Sequence, residues 1–126
     1  MTTYVYIIAK KDGDKLVSPV KVGIADDPEK RLKQLRTSCP FPLALVCCFA
    51  CDTRDEALIM ERKYRSYKLV KRLHGEWFDM EPRHAAWMMI CNFSDQLARN
   101  RSLPEVAKLI DENLDQCKRF NEALYA

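Results

Sequence analysis

Two apolar runs joined by a short polar turn restrict this chain more than any other feature. TYVYIIA (Thr3–Ala9) is rich in β-branched and aromatic residues, which suit a pleated and packed strand. KKDGDK follows, and Asp12-Gly13 within it is a turn signal. LVSPVKVGI (Leu16–Ile24) reads as the return strand, with Pro19 at its start or on an edge, because proline has no N–H for a ladder. The chain therefore opens as a β-hairpin. Asp26 or Asp27 then caps a helix with Pro28 in its first turn, running to about Ser38 and stopping before Pro40.

PLALVCCFAC (Pro42–Cys51) is a continuous apolar run, as expected of a buried third strand. Thr53 and Glu56 form a capping box that starts a second helix reaching about Tyr67. Gly75 breaks the chain before EWFDM, a short strand or extended segment. Two amphipathic helices follow, roughly Arg83–Arg99 and, after the Ser102…Glu105 box, Pro104–Leu124. The last predicts one stripe of Val106, Leu109, Ile110, Leu114, Cys117 and Leu124. The order β-β-α-β-α-β-α-α gives the α+β class. The expected sheet is small and mostly antiparallel, with three core strands plus a short extra segment, flanked by helices. One domain is expected over 1–126, with a core at about 3–80 and a C-terminal helical extension at about 82–126.

Composition removes several function classes. The 126 residues are 48% apolar and 31% charged, a soluble balance, and the net charge of +3 comes from 21 basic and 18 acidic residues that are interspersed. That permits a polyanionic partner without demanding one. No run approaches the ~18 apolar residues of a membrane span, and the opening residues hold only a short apolar YVYII with no cleavage-like site. Cys47, Cys48, Cys91 and Cys117 fall within apolar patterns, so reduced thiols in a cytoplasm are expected of the six cysteines. Structural zinc is not expected: Cys48 and Cys51 have C-x-x-C spacing, but no second pair exists and His74 and His84 stand apart.

Four polar or aromatic positions fit a bland surface poorly when taken together. Leu32 and Leu35 define the buried stripe of the first helix, and at ~100° per residue Arg31 and Arg36 lie on its borders. A border arginine either snorkels to water or lays its stem on the core and sends its guanidinium across the sheet. In the second helix Ala57, Met60, Tyr64 and Tyr67 form the stripe, and Glu61 lies among apolar neighbours. Such a carboxylate needs a protein cation or a divalent metal, and the spacing leaves both open. Tyr4, Tyr6 and Ile8 share one face of the first strand; Lys21 precedes Val22-Gly23 on the strand paired with it.

This ordered set resembles the GIY-YIG nuclease superfamily. Tyr4-Val5-Tyr6 stands in the place of the first signature, Lys21-Val22-Gly23 in that of the second, Arg31 at the helix arginine and Glu61 at the metal-binding glutamate. The similarity covers roughly Tyr4 to Met80, and GEWF (Gly75–Phe78) is similar to the compact branch found in phage and mobile-element proteins. Tyr4 replaces the first signature's Gly, Lys21 replaces the second signature's Tyr, and the family's late asparagine has no clear match.

The resemblance implies a metal-dependent endonuclease acting on DNA, with all four residues converging on one concave face. Phosphodiester hydrolysis needs an activated water, charge neutralisation on the phosphate and help for the leaving oxygen. Tyr6 would act on the water, and since a free phenol has a pKa of ~10, Lys21 would favour its phenolate. Arg31 would clamp the phosphate with its planar fork. Glu61 would hold Mg²⁺ or Mn²⁺. Trp77 is expected to close the core rather than stack on a base. The competing readings are a module on the same fold that binds nucleic acid without cleaving, and a protein-interaction module. The C-terminal helices offer a surface for a homodimer. No zinc finger, helix-turn-helix or basic tail supplies sequence specificity.

Overall fold

The computed structural model describes residues 2–66, 71–74, 77–97 and 101–126. β1 (Thr3–Asp12) and β2 (Lys15–Ala25) form the expected hairpin, with Asp12 opposite Lys15. Gly13 supplies a φ of 60° at the first position of the two-residue turn, where a II′ turn requires glycine. α1 (Pro28–Ser38), β3 (Leu43–Cys51), α2 (Arg54–Arg65), β4 (Lys71–His74), β5 (Trp77–Asp79), α3 (Pro82–Leu97) and α4 (Leu103–Leu124) follow. The sheet has five strands in the order β3-β1-β2-β5-β4, and every neighbouring pair is antiparallel.

The expected α+β architecture holds, with one strand more than the sequence suggested. Lys-Arg-Leu-His (71–74) has neither alternation nor β-branched residues, so nothing local marks it as a strand. Its place comes from pairing with β5 at the sheet's outer side. Pro19 lies inside β2, not at its start. The β1–β2 register shifts between Ala9/Val20 and Lys10/Val17, so the proline occupies a bulge where no ladder N–H is needed. The predicted helix ends at Tyr67 and Arg99, and the break at Gly75, lie outside the described residues.

The helices start where their caps dictate. Asp27 accepts from the Lys30 N–H at 3.1 Å, and Thr53 accepts from the Glu56 N–H at 3.1 Å. The Glu56 carboxylate reaches back to the N–H of Asp52, one residue before the cap. Ser102 accepts from the Glu105 N–H at 3.4 Å.

β1 is apolar from Tyr4 to Ala9 because that stretch is central and covered on both faces. Val5, Ile7 and Ala9 pack with Val20, Val22, Cys47 and Phe49, beneath Ala57, Met60 and Tyr64 of α2 and Ala85 and Met89 of α3. Tyr6 and Ile8 face the other way, with Leu43 and Leu45, beneath Leu32 of α1 and Cys117 of α4. α4 passes the outer side of β3 and serves both layers. Its Ile110 and Leu114 join the first cluster, and its Cys117, Phe120 and Leu124 join the second. This path corrects one expectation. Leu109, assigned to the buried stripe, is 41% exposed, while Asn113 and Asn121 turn toward β3.

Candidate functional site

Tyr6 sits at the centre of β1, only 1% exposed, and stands opposite Gly23 on β2. Opposed residues of an antiparallel pair project to the same face, so a side chain at position 23 would compete for the tyrosine's space. A Cβ there would lie 2.5 Å from Tyr6 Oη and 2.7 Å from Cζ. Glycine is therefore what lets the phenol ring lie across β2. The Val-Gly pair, visible in the sequence as a motif, acquires its physical cause here.

Lys21 is two residues earlier on β2, opposite Ile8, and so on the Tyr6 face. It is buried, an unusual place for lysine. Its Nζ lies 5.5 Å from the centroid of Trp77, its register partner on β5, in a cation–π contact. The indole in turn meets Phe41 edge to face at 6.1 Å between centroids. Trp77 thus packs, as expected, and also forms the wall against which the Lys21 ammonium rests.

Arg31 lies one turn into α1, its N–H donating to the Asp27 carbonyl at 3.0 Å. It is half-buried, beside Leu32, which packs in the Tyr6 cluster. Lys30 and Lys33 are exposed and Arg36 is half-buried, as the helical phase predicts. The Arg36 guanidinium lies 4.8 Å from the Tyr125 ring.

Glu61 comes from a different direction. Its helix packs with the Val5 and Ile7 layer, across the sheet from the Tyr6 cluster. At ~100° per residue, Glu61 borders the Ala57–Met60–Tyr64 stripe. It is buried, and its Oε1 lies 2.6 Å from Arg65 Nη2. An i,i+4 pair with the glutamate N-terminal is the favoured orientation, and a basic residue also suits the end of a helix. So Tyr6, Lys21 and α1 with Arg31 belong to one side of the sheet, and the helix carrying Glu61 covers the other.

Among the described residues, no three His, Cys, Asp or Glu side chains cluster as a metal site. The Cys48-x-x-Cys51 spacing does not make a ligand pair, because Cys48 belongs beside the Tyr6 cluster and Cys51 to the opposite one. All six cysteines are free. Among the described residues, no helix is long and apolar enough to cross a membrane.

Sequence reasoning missed two groups that shape this region. Gly23 was legible as a signature, but not as the seat of Tyr6. Asn113 and Asn121 fell inside an amphipathic helix, where amides read as solvated. The register of α4 against β3 is what turns them inward.

Residues 3–93 match the T5orf172 domain family, well over half of the chain, and the protein belongs to that family. The family is associated with nuclease-like domains of phage. No curated protein and no solved structure matches the chain.

Proposed function

We propose that this member of the T5orf172 domain family is an endonuclease that hydrolyses phosphodiester bonds in DNA. The observation that carries the reading is the seating of Tyr6 against Gly23, with a buried lysine two residues earlier on the same face. Burying a cation is costly, and core packing alone gives no reason for Lys21 to be there. A phenol that must act on a water benefits from a nearby ammonium, which favours its ionised form.

In this reading Tyr6 orients or deprotonates the attacking water, and Lys21 holds the phenolate or the phosphate. Arg31 reaches from the border of α1 to clamp the scissile phosphate, its fork matching two phosphate oxygens. Glu61 is the hard oxygen donor of the set, which fits Mg²⁺ or Mn²⁺, ions that keep most of their water shell. Because α2 lies across the sheet from Tyr6, Glu61 would have to present such an ion past the border of α2 for its charge to serve the phosphate and the departing 3′ oxygen. Glu61 would then exchange its contact with Arg65 for the ion.

One pair of observations favours a second reading, a nucleic-acid binding module that does not cleave. Tyr6 is almost wholly enclosed, and an oxygen of Glu61 is engaged by Arg65. Supercoiled plasmid separates the two. Nicking with Mg²⁺ or Mn²⁺ that chelator abolishes, and that Tyr6→Phe and Arg31→Ala remove, is the expected result. A mobility shift without nicking in either ion would establish the binding module instead.

A further inference from the structure

β3 is the outermost strand on its side of the sheet, and α4 holds it through side-chain amides. The Leu45 N–H donates to Asn121 Oδ1 at 2.9 Å, and Asn121 Nδ2 donates to the Leu45 carbonyl at 2.5 Å. The Cys48 N–H donates to Asn113 Oδ1 at 3.1 Å. These bonds set the helix so that Cys117, one turn after Asn113, faces Cys48. The two sulfurs are 3.7 Å apart, and Cys117 Sγ is also 3.7 Å from Asn113 Oδ1.

The pair is not sealed in the core. A cavity of about 280 Å³ is lined by both cysteines together with Tyr4, Asp26, Pro28, Gln116 and Phe120. Cys117 is 2% exposed, whereas Cys48 is half-buried. The thiol–thiol contact with Cys117 holds the Cys48 thiol below the usual range, against burial and the charge of Glu29, with Asn113 assisting. The same contact, with burial, pushes Cys117 up. The other β3 cysteines differ. Burial pushes Cys47 up, and burial with the Glu56 and Asp52 carboxylates pushes Cys51 up to about 11. Since the thiolate is the reactive form, Cys48 stands apart from both.

We infer that Cys48 and Cys117 form a peroxide-reactive dithiol, in which Cys48 attacks, Cys117 resolves, and the resulting disulfide ties α4 to the outer strand of the sheet. In the first step the Cys48 thiolate attacks one oxygen of a hydroperoxide. The O–O bond breaks, the leaving hydroxide or alkoxide takes up a proton, and Cys48 becomes a sulfenic acid. In the second step Cys117 Sγ attacks Cys48 Sγ. The S–S bond forms, the S–O bond breaks, and hydroxide leaves with the Cys117 proton as water. Two thiols are oxidised to one disulfide, and the peroxide is reduced to water and water or alcohol. The sulfurs must close by about 1.7 Å to reach the ~2.05 Å bond.

The test uses the full chain, reduced and then freed of reductant, with hydrogen peroxide in stoichiometric amounts. Denatured thiol counts should fall from six to four, and non-reducing digestion should give one linked peptide joining Cys48 to Cys117. Intramolecular closure of so long a loop should raise the melting temperature on the order of 10 °C. Cys117→Ser should trap a sulfenic acid at Cys48 that a cyclic 1,3-diketone captures, and Cys48→Ser should abolish both products. Cys91→Ser should leave the rate unchanged. Faster consumption of Cys39 or Cys91, or a Cys48 thiol intact after two equivalents, would overturn the inference. The parent mapping decides alone should a serine variant fail to fold.

Discussion

Gly23→Ala tests the geometry on which the candidate site rests. The added Cβ would stand 2.5 Å from Tyr6 Oη, 2.7 Å from Cζ and 3.2 Å from Cε2. Contacts that short cannot persist, so the ring or strand β2 must move. Tyr6 is 1% exposed and held between β2 and β3, opposite Gly23 and Cys48, so the ring has little room to retreat. Overpacking of this kind costs about 1–3 kcal/mol, less the ~0.5–1 kcal/mol that alanine gains over glycine in a strand. A net loss of about 1–2 kcal/mol is expected, read as a lower urea midpoint at unchanged slope. Tyr6→Ala supplies the second arm of a double-mutant cycle. Alone it should cost about 3–5 kcal/mol, but with the ring gone Gly23→Ala should become neutral or mildly stabilising. An equal cost in both backgrounds would refute the seating of Tyr6 on Gly23, as would no cost in either.

Three further changes probe the remaining parts. Glu61→Gln keeps the shape and removes the charge, so nicking should fall on the order of 10²-fold while DNA binding is kept or rises. Unchanged nicking with a lower melting temperature would make Glu61 only the partner of Arg65. Lys21→Met keeps the stem and deletes the ammonium. Activity should drop and its pH optimum move upward, because Tyr6 would ionise at higher pH; an unshifted profile with weaker substrate affinity would restrict Lys21 to binding. Asn121→Ala leaves the Leu45 N–H and carbonyl without their amide partner, and should cost about 1–3 kcal/mol by urea unfolding. A change within ~0.3 kcal/mol would show that water replaces the amide there.

The parts that were legible in sequence are those with a local physical signature. The hairpin announced itself by apolar runs and Asp12-Gly13, and the helices by Asp27, Thr53 and Ser102 at their starts. The two faces of β1 followed from a period of two residues. What escaped was set by partners distant in sequence. β4 is a strand because β5 lies beside it. Leu109 is exposed, and Asn113 turned inward, because β3 and not periodicity decides which side of α4 is covered. For the site, residue types and order were visible, along with the border positions of Arg31 and Glu61. That α1 and α2 take opposite faces depends on sheet topology, which no local pattern encodes.

α4 bears on where the working domain stops. The family match closes at residue 93, yet the outward side of β3 depends on side chains after it. Asn121 serves both backbone groups of Leu45, Asn113 takes the N–H of Cys48, and the Tyr125 hydroxyl donates to the Leu43 carbonyl. The Tyr125 ring also lies 4.4 Å from Lys11 Nζ and 4.8 Å from the Arg36 guanidinium, joining the ends of β1 and α1 to α4. An uncovered strand is a template for pairing with other chains, and proteins blunt such edges with charge, bulges or a covering helix. Here the Val46 bulge and α4 do so together, since the β1–β3 register shifts between Ile7/Cys47 and Ile8/Leu45. Cys117, Phe120 and Leu124 of the same helix complete the apolar cluster around Tyr6. The helix outside the family match therefore closes the sheet and encloses the residue on which the proposed chemistry turns. On its own face Tyr6 is bounded by Leu32 of α1 and by Cys117, Phe120 and Leu124 of α4, so the proposed chemistry depends on how these two helices are placed.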